Sequence, residues 1–587
     1  MSKKAIRRLF ALVIAPIVLG VSTASAPPAA HAAGGACAEI TAACEAAGFV
    51  KGGGAAGNGL KIDCVDPIMQ GHAAPRKASR SLPQVNPRTV AACKAQNPGF
   101  GEGKSATSGD APGGPQVVPA AHPAPPGSPN IVFILTDDLS LNLVQFMPHV
   151  LAMERDGATF ANYFVTDSLC CPSRSSIFTG EFPHDTGVFR NREPDGGYGG
   201  FNAHGNEPRT FAVALQRGGY RTAMLGKYLN GYHPAKNGPA MGWNEWDVAG
   251  DGYPEFNYEL NEDGKASQYG TDPDDYLTDV LSRRAANFIK QSAGAPFFIE
   301  VATFAPHAPY VPAPRDADAF PGLRAPRTPA YDAAPDPDAP KWLSAIPPLS
   351  DTDMARIDRD FRKRAQSVLA VDKMIGDLQA AVAAAGQEKN TYFVFSSDNG
   401  YHMGEHRLMP GKMTAFDTDI HVPLVVTGPG VAAGRRIDEI AENIDLCPTF
   451  AELAAAPLPA SVDGHSLAPL LRGQQVTEWR TLALVEHHGP RNKENEADDP
   501  DAPAIRSGNP TTYEAIRMRA SVYVEYIDGT QEYHDLASDP DELQNTISSL
   551  PPATKASLHA AVAAVQGCHD AQSCWQATRP AAVSAQR

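Results

Sequence analysis

Positive charge is scarce in this chain: 50 lysines and arginines stand against 66 aspartates and glutamates, a formal net charge of −16. That balance argues against nucleic acid or an anionic membrane as the main partner, because both select basic surfaces. Long apolar runs are also lacking. The N-terminal stretch from Leu9 to Val21 is too short to cross a bilayer, so no stable membrane insertion is expected. It follows Lys3, Lys4, Arg7 and Arg8 and leads to Ala30-His31-Ala32, the layout of a secretory signal with a small-x-small cleavage site. Residues 1–32 read as a signal peptide cleaved near Ala32, and the mature protein as secreted; an uncleaved anchor is the competing reading.

Cysteine is sparse too, nine in 587 residues, and export makes its placement interpretable. Cys37, Cys44, Cys64 and Cys93 fall in an Ala/Gly-rich module, residues 33–103, where three pairings into two disulfides are open. Nothing in that module suggests catalysis; an accessory binding domain, a maturation segment and a tether are equal readings. Cys568 and Cys574 are close enough to staple a tail, residues 561–587. Cys447, in an apolar stretch beside Pro448 and Phe450, reads as a buried free thiol. A Gly/Pro/Ala segment, residues 104–128, has linker composition.

What is present begins with Cys170-Cys171-Pro172-Ser173-Arg174-Ser175-Ser176-Ile177-Phe178-Thr179-Gly180. Pro172 suits a first helical turn, which places Cys170 at a helix N-terminus, where free backbone donors and the dipole attract an anion. Asn130 to Leu135 is a continuous apolar, β-branched run, the pattern of a strand buried on both faces of a parallel sheet, and it ends in Asp137-Asp138. Thr391 to Ser396 is a second such run and ends in Asp398-Asn399-Gly400. Strand C-termini are where open α/β sheets place their ligands. Four oxygen donors, Asp137, Asp138, Asp398 and Asn399, with no sulfur or imidazole among them, favour Ca²⁺ or Mg²⁺ over Zn²⁺.

The eleven-residue run resembles the signature of the type I sulfatases, whose first Cys is oxidised to formylglycine by a generating enzyme that reads Cys170, Pro172 and Arg174 during maturation. The register singles out Cys170, not Cys171. Chemistry makes sense of the exchange: a captured sulfuryl group on Ser or Cys is a stable ester, whereas an aldehyde hydrate attacks sulfur with one hydroxyl and expels sulfate through the other. The resemblance implies an alkaline-phosphatase-like mixed α/β sheet sandwiched by helices, with a smaller C-terminal antiparallel α+β subdomain. It implies Ca²⁺ held by Asp137, Asp138, residue 170, Asp398 and Asn399. It also implies a sulfate-binding Lys227 in Gly226-Lys227-Tyr228-Leu229-Asn230, a His307 in Pro306-His307-Ala308-Pro309, and a further lysine at Lys412.

Arg174, Lys227 and Lys412 would neutralise sulfate oxygens, and His307, rather than Lys412, would protonate the leaving alcohol because its pKa needs less tuning. Common arylsulfatases carry a His where this chain has Leu229; His402 is the nearest candidate for the missing base. That departure, with Asp-Asn-Gly-Tyr-His at 398–402, resembles the N-acetylglucosamine-6-sulfatase and heparan endosulfatase branch, implying a sulfated small molecule or glycan as substrate. The catalytic domain is expected over 129–477 and the C-terminal subdomain over 478–560. A phosphate or phosphonate monoester hydrolase, or a catalytically silent sulfated-glycan binder, are the alternatives.

Overall fold

Asn130–Thr136 (β1) is built of Ile, Val and Phe with no polar alternation, and every one of its residues is buried. Such a strand can only lie in the middle of a sheet covered on both faces. In a computed structural model, which describes residues 36–50, 59–70, 80–86, 89–90, 93, 114–458, 461–489 and 506–580, it does so. The expected signal peptide lies outside the described residues.

The remaining strands of the large sheet are β2 (Ala158–Phe164), β3 (Arg221–Lys227), β4 (Glu245–Ala249), β5 (Glu259–Glu262), β6 (Lys265–Gln268), β7 (Phe297–Ala302), β8 (Thr391–Ser397), β9 (Leu424–Thr427) and β10 (Arg435–Glu442). Their order is β10-β2-β9-β8-β1-β7-β3-β4-β5-β6. β8, β1, β7, β3 and β4 run parallel; β9 on one side and β5 on the other run antiparallel to them, and β6 turns back antiparallel to β5. Register then decides which chain ends meet. Thr136 pairs with Ser397, Leu135 and Gly226 both pair with Ala302, and Lys227 pairs with Ala249. The segments that follow β1, β8, β3 and β7 therefore emerge at one edge.

Helices cover both faces. The longest, Asp351–Ala384, starts at a capping box between Ser350 and Asp353 and buries Ile357, Phe361, Ala365, Val368, Ile375, Leu378 and Val382. It ends just before Gly386, whose φ of +69° suits the left-handed turn that stops a helix. Gly226 is required for another reason: a Cβ there would lie 1.9 Å from the Ala302 carbonyl oxygen, so only glycine lets β3 lie against β7 at this point.

A second sheet of four antiparallel strands, β11 (Leu482–His487), β12 (Tyr513–Met518), β13 (Ser521–Tyr526) and β14 (Gln531–Asp535), packs on helix Pro552–Gln566. The boundary drawn at 560 falls inside that helix. Ala561, Val562, Val565, Cys568 and Cys574 are buried with Leu482, Leu484 and Tyr523, so the segment up to Ala577 belongs to the subdomain core and is not a tail. Cys568 is disulfide-bonded to Cys574, and Cys447 is a buried free thiol.

The chain divides into two compact units, residues 1–109 and 110–587. In the first, Cys44–Cys64 ties helix Ala36–Ala46 to the turn at Lys61–Val65 and Cys37–Cys93 ties the same helix to Cys93, around Ile40, Phe49 and Met69. The linker composition of 104–128 misleads for its second half. Gln116 bridges to Met241, Val118 N–H donates to Gln216 and Ala121 N–H donates to the Arg217 carbonyl, so this stretch is bonded to the large domain.

Candidate functional site

Cys170 begins the helix Cys170–Thr179, preceded by extended Leu169 and closed by Gly180 at φ +75°. All ten residues of this helix are buried. Its N-terminus points at the edge where β1 and β8 end, and Cys170 Sγ lies 3.4 Å from Asp137 Oδ1 and 2.8 Å from Lys412 Nζ. Burial, reinforced by Asp137, holds the thiol well above its ordinary pKa, so it is not a thiolate nucleophile near neutrality. The side chain of Cys171 points into the apolar core, and its backbone N–H donates to Asn191.

Asp137 and Asp138 each hold a lysine. Lys227 Nζ is 2.5 Å from Asp137 Oδ2, and Lys412 Nζ is 2.7 Å from Asp138 Oδ1. Burial, the largest single influence, would lower the Lys227 pKa, but the acidic groups around it, Asp137 foremost, together outweigh burial and the net shift is upward. His307 Nδ1 lies 2.7 Å from the Ala308 carbonyl, which accepts its proton; Nε2 then faces Asp138 Oδ2 at 3.5 Å. Tyr253 closes the side of the cluster, its ring 4.9 Å from Lys227 Nζ and 4.4 Å from the His307 ring.

Arg174 is fully buried, and two of its arms are spent on protein: Nε donates to Asp398 Oδ2 at 2.8 Å and Nη1 to the Lys227 carbonyl at 2.9 Å. Its guanidinium ties the end of β8 to the end of β3, leaving Nη2 without a hydrogen-bond partner. Asp398 Oδ1 accepts the Asp138 N–H, and Asn399 Nδ2 donates to Asp138 Oδ1 at 2.6 Å, which leaves Asn399 Oδ1 buried and unpartnered.

A divalent ion fits this donor set. Among the described residues, Asp137, Asp138, Cys170 and His307 bring ligand atoms within 4.8 Å of one another, and the orphaned Asn399 oxygen is a further hard donor. The three carboxylates Asp137, Asp138 and Asp398 are balanced by Arg174, Lys227 and Lys412. A doubly charged ion would leave the cluster positive, the polarity an anionic ester needs.

His402 is placed differently from the expectation of a proton-handling base. Its Nδ1 is 2.9 Å from Asp419, its Nε2 is 2.9 Å from the Ser507 carbonyl, and its backbone pairs with Gly411 on both sides. With both ring nitrogens engaged, it fixes the strand that carries Lys412. Burial, the largest single influence, would lower its pKa, but Asp419 with Glu405 and the Ser507 carbonyl together outweigh burial and raise it. The turn at Gly400 is needed for approach rather than for φ: a Cβ there would sit 2.2 Å from the Thr418 carbonyl.

Three participants escaped the sequence reading. Arg364 projects from the long helix and donates to the Asp138 carbonyl while stacking 4.3 Å from the Tyr401 ring. It supports Asp138 where the backbone takes φ +61°. An arginine three residues past Phe361 and four before Val368 lies on the apolar stripe, and that misplacement was the available signal. Asp167 and His487 are the others, brought together by the Glu486 N–H donating to the Thr166 carbonyl. Asp167 is fully buried, and burial lifts its pKa well above the carboxylate range; burial pushes His487 down to about 3. Nothing local in sequence links them.

Two family models match: "Sulfatase" over residues 129–456, and "N-sulphoglucosamine sulphohydrolase, C-terminal" over 404–565. Human N-acetylglucosamine-6-sulfatase is 33% identical over 473 residues, covering 75% of this chain and 85% of that protein. An extracellular sulfatase homolog of Drosophila melanogaster is 35% identical over 374 residues, covering 62% of this chain and 33% of its own. A solved structure described as a complex with its substrate D-glucosamine-2-N,6-O-disulfate shares the fold with a TM-score of 0.62 at 22% identity, over 77% of this chain and 99% of that one. The phosphonate monoester hydrolase of Agrobacterium radiobacter does so with 0.55 at 22%, over 72% and 92%. The alkaline-phosphatase-like α/β fold is thereby established. With the signature run at the helix N-terminus and both family models matched, this chain belongs to the type I sulfatase family, is similar to its N-acetylglucosamine-6-sulfatases, and is a sulfuric ester hydrolase.

Proposed function

We propose that this protein is an exported enzyme that removes the 6-O-sulfate of N-acetylglucosamine-type sugars, with residue 170 converted to formylglycine and Ca²⁺ as its metal. The observation that carries the reading is the convergence of Cys170, two lysines and the Asp137-Asp138 pair in a buried cluster at the sheet edge. Similarity to N-acetylglucosamine-6-sulfatases supports the sugar, similarity to extracellular relatives supports export, and both suit the N-terminal signal pattern. Maturation would require a formylglycine-generating enzyme.

Asp137, Asp138, Asp398, Asn399 and residue 170 would hold the metal, with Asp398 also orienting Asp138 and Arg174. When bound, the ion supplies charge neutralisation at the sulfate oxygens, and the aldehyde hydrate at residue 170 supplies the attacking hydroxyl. Lys412, 2.8 Å from Sγ, is placed to meet negative charge on the atoms that replace that sulfur. Lys227 neutralises from the opposite side, over Asp137. Arg174 positions both segments instead of spanning the substrate, since two of its arms are committed. His307, as the imidazolium, would deliver the Nε2 proton to the leaving alcohol and be left as the neutral ring, its Nδ1–H still donated to the Ala308 carbonyl.

The test is a release assay with protein whose residue 170 has been verified by peptide mass spectrometry. N-acetylglucosamine-6-sulfate, an aryl sulfate and a matched aryl phosphate are compared, with Cys170→Ala as control. The expected result is sulfate release from the sugar and none from the variant. Faster turnover of the phosphate would favour the phosphonate-hydrolase reading that the shared fold allows. No release from any sulfate by fully converted protein would overturn the proposal in favour of a silent glycan binder.

A further inference from the structure

Away from the Cys170 cluster, a second group of ligand-type side chains comes together where the chain leaves the Cys170–Thr179 helix. His184, Asp185 and His569 each bring one ligand atom within 4.8 Å of the other two. His184 and Asp185 lie on the short turn Pro183–Thr186; His569 follows Cys568, inside the loop closed by the Cys568–Cys574 disulfide. His569 Nδ1 is 2.6 Å from Asp185 Oδ1, and His184 Nε2 is 3.8 Å from Asp185 Oδ2 and 2.9 Å from the Cys568 carbonyl.

Two further features distinguish this group from a chance surface pair. His184 Nδ1 is 2.8 Å from Glu486, whose side chain is buried, so the ring is held with Nε2 toward the cluster. A carboxylate behind a ligating imidazole is the usual support of a bound transition metal. In addition, Asp185 Oδ2 is buried and takes no hydrogen bond, although its partner oxygen is engaged by His569. A bound cation would satisfy it.

We propose that His184, Asp185 and His569 form a Zn²⁺ site that clamps the C-terminal disulfide loop to the turn behind the Cys170 helix, with water as the fourth ligand. Two imidazoles and one carboxylate are a borderline-soft set that prefers Zn²⁺ to Ca²⁺, in contrast to the oxygen-rich ligands around Asp138. On binding, the proton of His184 Nε2 passes to solvent, and the nitrogen exchanges its bond to the Cys568 carbonyl for the metal. The ligands are separated by almost the whole catalytic domain in sequence, so occupancy would resist opening of the C-terminal segment.

The mature, Ca²⁺-loaded protein is titrated with Zn²⁺ by calorimetry, beside His569→Ala, and zinc-soaked crystals of the wild type are measured at the zinc absorption edge. His569 has 66% of its side chain exposed, so the variant folds and keeps its sulfate-release rate. The expected results are one Zn²⁺ per wild-type chain and an anomalous peak between His184 and His569. Melting should rise by about 3 °C at a hundredfold excess over Kd, absent in the variant. Equal zinc titration of the two proteins, or an anomalous peak confined to the Cys170 cluster, would overturn the assignment.

Discussion

Replacing Lys412 with Met is the sharpest probe of the catalytic cluster. The ammonium lies 2.8 Å from Cys170 Sγ and 2.7 Å from Asp138 Oδ1, and its side chain is only 4% exposed, so methionine keeps most of the volume and deletes the charge. Two consequences can be separated. Where negative charge develops at sulfate, losing one preorganised positive group costs about 2.7–4 kcal/mol, a hundred- to thousandfold in kcat. For folding, breaking a buried pair from one side costs about 3–5 kcal/mol when nothing replaces the lost charge. A divalent ion at Asp138 is such a replacement, so the melting temperature of the variant should recover with Ca²⁺ while its kcat does not. Initial rates on an aryl sulfate at saturating Ca²⁺, with melts in Ca²⁺ and in chelator, read both. A kcat within threefold of wild type, in a folded and formylglycine-bearing variant, would refute the role of this lysine.

Three other outcomes are expected. Arg364→Met removes the donor to the Asp138 carbonyl and should weaken Ca²⁺ binding about 10- to 100-fold by calorimetry; unchanged affinity would reduce Arg364 to a packing residue. Gly226→Ala pushes a methyl group against the Ala302 carbonyl at a φ of +94° and should destabilise the fold by about 3 kcal/mol or more, seen as lost soluble yield and a lower melting temperature. Glu300, fully buried on β7 with neither oxygen hydrogen-bonded, has its pKa raised by burial to about 8. A raised pKa means the folded state holds this proton more tightly, so its contribution is complete below about 4.5 and is lost as pH rises toward 8. Glu300→Gln should therefore leave stability at pH 4 nearly unchanged and raise it by a few kcal/mol at pH 8, measured by denaturant unfolding; equal shifts at both pH values would contradict this.

Much of the site was legible because its parts are local. An uninterrupted apolar run closing on two aspartates marks a buried strand and its end within nine residues, Asn130 to Asp138, and β1 and β8 lie within one residue of the ranges read from sequence. The eleven residues from Cys170 specify a helix start and a family together. The role of His402 could not be read from the sequence, because distance along the chain, three residues past Asn399, says nothing of where a ring points. Its two nitrogens are taken by Asp419 and Ser507, the latter from a segment about a hundred residues away.

By itself, then, the amino-acid order determined at which strand or helix ends the candidate side chains stand, since buried periodicity and turn residues are short-range properties. Tertiary structure alone decided how those ends are used. Parallel register brings β1, β8, β3 and β7 to a common edge. There Arg174 is drawn inward to Asp398, Lys412 is aimed at Cys170, and Arg364 is recruited beneath Asp138 from a helix that reads as plain core. Each of these contacts engages a buried cation across 224 to 242 residues of chain, and only packing, which excludes water and makes each unpaired charge costly, selects one set of partners over the others.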